Sequence, residues 1–187
     1  MKYLIAGLGN IGAEYIDTRH NIGFDVANAL ISELKGETSV EKLAVVSRVK
    51  YRGRILVIIK PTTYMNLSGK AIKYWLEKEK IPSERLLVIL DDIALPTGSL
   101  RMKAKGGDAG HNGLTDIIEK LGTSTFPRLR IGIGDNFPRG RQADYVLGQW
   151  TKSEEILMSQ RVDIATEMIK DFVSIGIEKT MTRYNNK

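Results

Sequence analysis

Apolar positions along this chain follow two different periods. Lys2–Gly7, Leu43–Tyr51, Arg54–Lys60, Leu86–Leu90 and Leu129–Ile133 are short, β-branched runs of strand length. Between them the spacing lengthens to three or four residues. Ile22, Val26, Ala29, Leu30 and Leu34 predict a helix that stops at Gly36, with Asp17 or Thr18 as its cap. Leu67, Ala71, Ile72, Trp75 and Leu76 predict a second helix, closed before Pro82. Leu114, Ile117, Ile118 and Leu121 predict a third, stopped by Gly122. Thr151 and Glu154 form a capping box that opens a long final helix, with Leu157, Ile164, Ala165, Met168 and Phe172 on its inner face. Arg52-Gly53 joins two strands in a hairpin, while Ser99–Lys103 and Tyr145–Leu147 read as short strands. Strands interleaved with helices predict an α/β fold. Residues 1–187 are expected to form a single-domain three-layer sandwich, a mixed, twisted sheet flanked by helices.

Composition narrows the class. With 42% hydrophobic and 27% charged residues among 187, the chain has the makeup of a globular protein rather than a disordered one. Ile55–Ile59 and Leu86–Leu90 are far too short to span a bilayer, and Met1–Gly7 reaches glycine before a signal-peptide core develops. The absence of cysteine removes disulfides, thiol catalysis and thiolate metal sites. The expected location is the cytoplasm, which leaves the sequon Asn66-Leu67-Ser68 without meaning. A net charge of +6 fits either a generic basic surface or an anionic partner. Arg101-Met102-Lys103-Ala104-Lys105, Arg128-Leu129-Arg130 and Arg139-Gly140-Arg141 crowd basic residues into one third of the chain, the pattern of a polyanion track.

Chemistry has few candidate carriers. The two histidines each precede asparagine, in His20-Asn21 and His111-Asn112, and imidazole is the side chain that takes up a proton near neutral pH. Gly7-Leu8-Gly9-Asn10-Ile11-Gly12 matches the dinucleotide fingerprint, but a polar stretch follows it where a helix should open, and no acidic residue ends the next strands. The glycines are better read as a sharp turn presenting Asn10 and His20 to a cleft. Asn66 and Asn112 stand at helix starts, where an asparagine is usually a cap. With Asn10 they also stand on the rim where α/β sheets collect ligands, and amides suit a carbonyl beside a peptide-like group. Asp91, delivered by a buried strand, can hold one nitrogen of His20 while the other activates water. Asp91 and Asp92 can instead hold a metal, but two histidines and no further carboxylate cluster favour neither metal nor cofactor.

These residues resemble bacterial peptidyl-tRNA hydrolases. The resemblance rests on Gly7–Asn10, Tyr15, Thr18–Asn21, Lys60–Gly69, Asp91-Asp92, Gly110–Leu114, Arg128–Gly134 and Tyr145–Gly148, in the family's order. It implies hydrolysis of the ester between a peptide and the 3′-terminal ribose of tRNA, recycling tRNA from stalled translation. His20 then resembles the general base and Asp91 its orienting acid, while Asn10 discriminates N-blocked substrates. Tyr15, Tyr64, Asn66 and Asn112 match substrate-binding positions, and Arg101 and Arg130 match a clamp on tRNA phosphate. No cofactor and no metal are implied, and the resemblance implies a monomer that does not bind membranes. The chain departs from the pattern at Ile11, Ala94 and Ala109, which replace proline, an acid and glycine. A catalytically silent relative that binds RNA or protein is the alternative.

Overall fold

The computed structural model describes residues 1–186. Its strands are β1 (Lys2–Gly7), β2 (Ser39–Glu41), β3 (Ala44–Tyr51), β4 (Arg54–Pro61), β5 (Leu86–Asp92), β6 (Leu100–Lys103) and β7 (Arg128–Gly132). They form one sheet in the order β2-β3-β4-β1-β5-β7-β6. The four central strands are parallel, and β3 and β6 run antiparallel to their neighbours. The helices are α1 (Ile22–Glu33), α2 (Ser68–Glu79), α3 (Asn112–Leu121), α4 (Gln142–Val146), α5 (Lys152–Ile175) and α6 (Ile177–Tyr184). Strand alternation divides the core in two. Ile5, Leu87 and Leu129 pack with α1 and α5 on one face; Leu4, Val88 and Val57 pack with α2 and α3 on the other. This is the expected α/β sandwich with a mixed sheet.

The first glycine loop is a packing device. A Cβ on Gly7 would lie 2.2 Å from the Gly23 carbonyl oxygen, and one on Gly23 would lie 2.5 Å from the Leu8 nitrogen. Both glycines let α1 start hard against the end of β1. The hairpin turn at Arg52 and Gly53 carries two consecutive positive φ angles, 47° and 77°, matching the right-handed twist of its strands. At the far edge, the Asn185 amide donates to the Met102 carbonyl and accepts from its N–H, occupying the open side of β6.

Three sequence expectations differ from the fold, and one strand goes unpredicted. A 3₁₀ turn, Arg19–Asn21, separates Asp17 and Thr18 from α1, so neither caps it. Tyr145–Leu147 lies in and just after α4 instead of a strand, because β6 already fills the free side of β7. The Tyr145 hydroxyl donates to the Ile133 carbonyl and fixes that helix by its ring. The last helical stretch breaks at Gly176, φ 89°, into α5 and α6. Strand β2 was not apparent in the pattern, since its three residues are largely exposed.

Candidate active site

Every residue of β5 is buried, and the strand ends by presenting Asp91 and Asp92 to opposite sides. The Asp91 Oδ2 lies 2.7 Å from His20 Nδ1, and its Oδ1 lies 2.8 Å from His111 Nε2. Burial alone would push the Asp91 carboxyl up. The interactions with His111 and then His20 outweigh it and hold the group well below the usual carboxylate range. His20 rides on the 3₁₀ turn, which its neighbour Arg19 anchors. The Arg19 N–H donates to the Gly148 carbonyl, and its guanidinium donates to Tyr145 O and Glu154 Oε1 while lying 4.1 Å over the Tyr145 ring.

The two histidines are made unequal by the start of α3. His111 is the residue before that helix, and its Nδ1 accepts from the Gly113 and Leu114 N–H groups at 3.1 and 3.3 Å. An accepting Nδ1 carries no proton, so Nε2 does, and it donates to Asp91. His111 therefore has no lone pair to offer a substrate. With His111 on Oδ1, the ionised Asp91 accepts the Nδ1 proton of His20, and the Nε2 lone pair of His20 is the one left free.

Around this pair a cleft of about 960 Å³ is lined by Asn10, Tyr15, His20, Tyr64, Asn66, Asp91, Asn112 and Arg130. Eight of the nine expected site residues thus meet in one place; Arg101 stands outside its lining. The amides differ in what they have left. Asn10 Oδ1 accepts from the Met65 N–H at 2.7 Å, which leaves Nδ2 as its free group. Asn21 does not cap α1 but exchanges two hydrogen bonds with the Asn10 backbone, fixing the first loop. Asn66 sits within the 3₁₀ turn Met65–Leu67, and Asn112 is the first residue of α3. Neither is a cap, both are exposed, and neither side chain has a hydrogen-bond partner among the described residues. The Tyr15 and Tyr64 rings meet edge to face at 6.4 Å. Ala109 takes the left-handed conformation, φ 49°, that a glycine would hold without strain.

The basic segments of β6 and β7 share a sheet face, with Arg101 opposite Arg130 and Lys103 opposite Arg128. Their fates diverge. Arg130 is paired to Asp92 at 2.5 Å, and Asp92 Oδ1 accepts from the Ala94 N–H. Arg128 is buried and donates only to backbone carbonyls, those of Gly106, Gly107, Ser124 and Phe126. Burial, then the Arg130 charge, pull it down to about 10. It shapes the 104–110 loop and is not a surface track residue, a distinction that sequence spacing does not carry. Lys103 is exposed and lines the cleft, closer to the site than Arg101.

His20, Asp91 and His111 bring possible metal-ligating atoms within 4.8 Å of one another. Their chemistry fits a hydrogen-bonded chain instead, since a histidine ligand needs a lone pair and His111 Nε2 is protonated. Asp91 and Asp92 do not converge on a common point either. The glycine fingerprint leads into a 3₁₀ turn, Ala13–Tyr15, with no helix N-terminus for a pyrophosphate.

The family model described as peptidyl-tRNA hydrolase matches residues 4–187. A peptidyl-tRNA hydrolase of Parabacteroides distasonis is 54% identical with full coverage of both chains. One of Porphyromonas gingivalis is 50% identical over 99% of this chain and all of its own. The crystal structure of peptidyl-tRNA hydrolase from Acinetobacter baumannii superposes with a TM-score of 0.94 at 33% identity, over 98% of this chain and 94% of that one. No described helix is long and apolar enough to cross a membrane. The chain belongs to the peptidyl-tRNA hydrolase family.

Proposed function

We propose that this protein hydrolyses the ester joining an N-blocked aminoacyl or peptidyl group to the 3′-terminal ribose of tRNA, by direct attack of water. One observation carries the mechanism: Asp91 and the start of α3 together leave His20 Nε2 as the free imidazole lone pair in the cleft. His20 takes a proton from water as it attacks the acyl carbon, and Asp91 stabilises the imidazolium that forms. The hydroxide oxygen becomes part of the released carboxyl, and the proton held by His20 passes to the departing ribose oxygen. No covalent intermediate is needed. The free amide of Asn10 donates to the substrate, and Asn66 and Asn112, with both amide groups uncommitted, bind the peptide portion. Tyr15 and Tyr64 offer aromatic faces. Arg101, Lys103 and Arg130 hold tRNA phosphates, with Lys103 and Arg130 lining the cleft and Arg130 already paired with Asp92.

The protein acts as a cytoplasmic monomer, and residues 1–187 work as one unit. Support for the latter is that Arg19, beside the base, is held by Glu154 at the start of α5. Release of N-acetylated amino acid from N-acetylaminoacyl-tRNA in EDTA tests the reading. Hydrolysis of the blocked substrate, with free aminoacyl-tRNA spared, is the expected result. Binding without release would identify a silent RNA-binding relative instead.

A further inference from the structure

We propose that His111 is a positioning residue for this reaction, acting through Asp91, and that the two backbone N–H groups opening α3 set its tautomer. The inference rests on the reading of His20 as the base. His111 makes two sets of contacts with separate consequences. Its Nδ1 caps α3 through Gly113 and Leu114 N–H, and its Nε2–H fills one oxygen of a buried carboxylate. A helix start is rigid, so the proton on Nε2 is fixed in place. One oxygen of Asp91 is thereby occupied, and the carboxylate can turn only its other oxygen to His20. His111 also draws charge from Asp91, which limits how strongly that carboxylate holds the proton His20 acquires.

The groups that face His20 make this coupling direct. Asp91 from β5 and His111 from the start of α3 touch one another and His20, the two imidazole rings lying 5.1 Å apart. Tyr15 and Tyr64 come from the rim loops, and the Asp92–Arg130 pair on the same cleft carries no net charge. Arg19 is turned away to Glu154. The charged groups Lys103 from β6 and Asp108 from the loop before α3 also line the cleft, Asp108 accepting from the Gly110 N–H and the Thr115 hydroxyl.

Two substitutions separate the contacts. Asn occupies roughly the place of Nδ1, so His111→Asn keeps an accepting cap on α3 and loses the donor to Asp91. Gln reaches roughly the place of Nε2, so His111→Gln keeps the donor and loses the cap. With N-acetylaminoacyl-tRNA, His111→Asn is expected to keep the parent melting temperature while kcat falls roughly tenfold, the scale of one hydrogen bond to a charged group. Its acid limb moves up by roughly half to one pH unit, because Asp91 now holds the imidazolium more strongly. His111→Gln is expected to melt earlier yet to turn over faster than His111→Asn, because it retains a donor to Asp91. Imidazole ¹⁵N spectra of the substrate-free protein supply a readout independent of substrate. They should show His111 protonated at Nε2 alone, and His20 titrating at higher pH in His111→Asn than in the parent. An unshifted His20 titration in His111→Asn, or a Gln variant slower than the Asn variant, would overturn the proposal and leave His111 as a cap only. A wild-type protein inactive on the ester but showing the ¹⁵N shift would overturn the proposed function while leaving the coupling intact.

Discussion

Replacing Asp91 with asparagine should do more than weaken a hydrogen bond. The carboxylate accepts from both histidines, at 2.7 and 2.8 Å, whereas an amide has one accepting and one donating end. His111 cannot change its tautomer, because Gly113 and Leu114 N–H groups occupy its Nδ1. The amide oxygen must therefore face His111, and the amide NH₂ must face His20 Nδ1. That inverts the His20 tautomer and puts a proton on Nε2, where the base lone pair is needed. Loss of the carboxylate charge adds to this. At about 4 Å and an effective dielectric of about 20, the imidazolium–carboxylate attraction is about 4 kcal/mol. At about 1.4 kcal/mol per tenfold, that is a rate loss of roughly a thousandfold. Single-turnover release of N-acetylated amino acid from saturating N-acetylaminoacyl-tRNA measures it. Asp91→Ala leaves His20 free to adopt either tautomer, so Asp91→Asn should be at least as slow as Asp91→Ala despite being the milder change in shape. An Asp91→Asn rate within a few-fold of the parent would refute the tautomer argument.

Three further outcomes follow from other parts of the structure. Lys103→Ala and Arg101→Ala should weaken tRNA binding and lower the slope of log K against log salt by about 0.7–0.9 for each phosphate no longer neutralised, with Lys103 the more damaging; titrations at several salt concentrations check this. Asp25 is raised to about 7 by burial and by Asp17, with Lys60 opposing. The unfolded chain releases that proton from about pH 4 upward and the fold only near 7, so this group weakens the fold as pH rises through that window; Asp25→Asn should gain about 1–2 kcal/mol at pH 8 and little at pH 4, by urea unfolding. Ala109→Gly relieves a left-handed alanine and should stabilise by about 1 kcal/mol, seen as a higher melting temperature at unchanged kcat.

Much of this was legible in the chain because local pattern and packing agree. The apolar run of β5 makes it central, Arg52-Gly53 makes its own turn, and the Thr151 box forms both of its bonds. The cluster of His20, Asp91, Asn10 and the rim amides was likewise legible, from residue type and loop position. What escaped depends on contacts between distant segments. Asparagine is the favoured cap, so Asn112 drew the reading that belongs to His111. Tyr145–Leu147 has strand-forming residues, but β6 already occupies the free side of β7. Arg128 and Arg130 share a face and a charge, yet one is swallowed by four carbonyls and the other is held by Asp92. Asn21, invisible as a site residue, proves to fix the loop that presents Asn10.

The central claim is that His20, and not His111, removes the proton from water. Single-turnover hydrolysis by His20→Ala, with tRNA affinity measured alongside, tests it most directly. The account predicts a fall of about 10²–10⁴-fold in rate, the contribution of a general base, with binding unchanged. Near-parental turnover by that variant would contradict it.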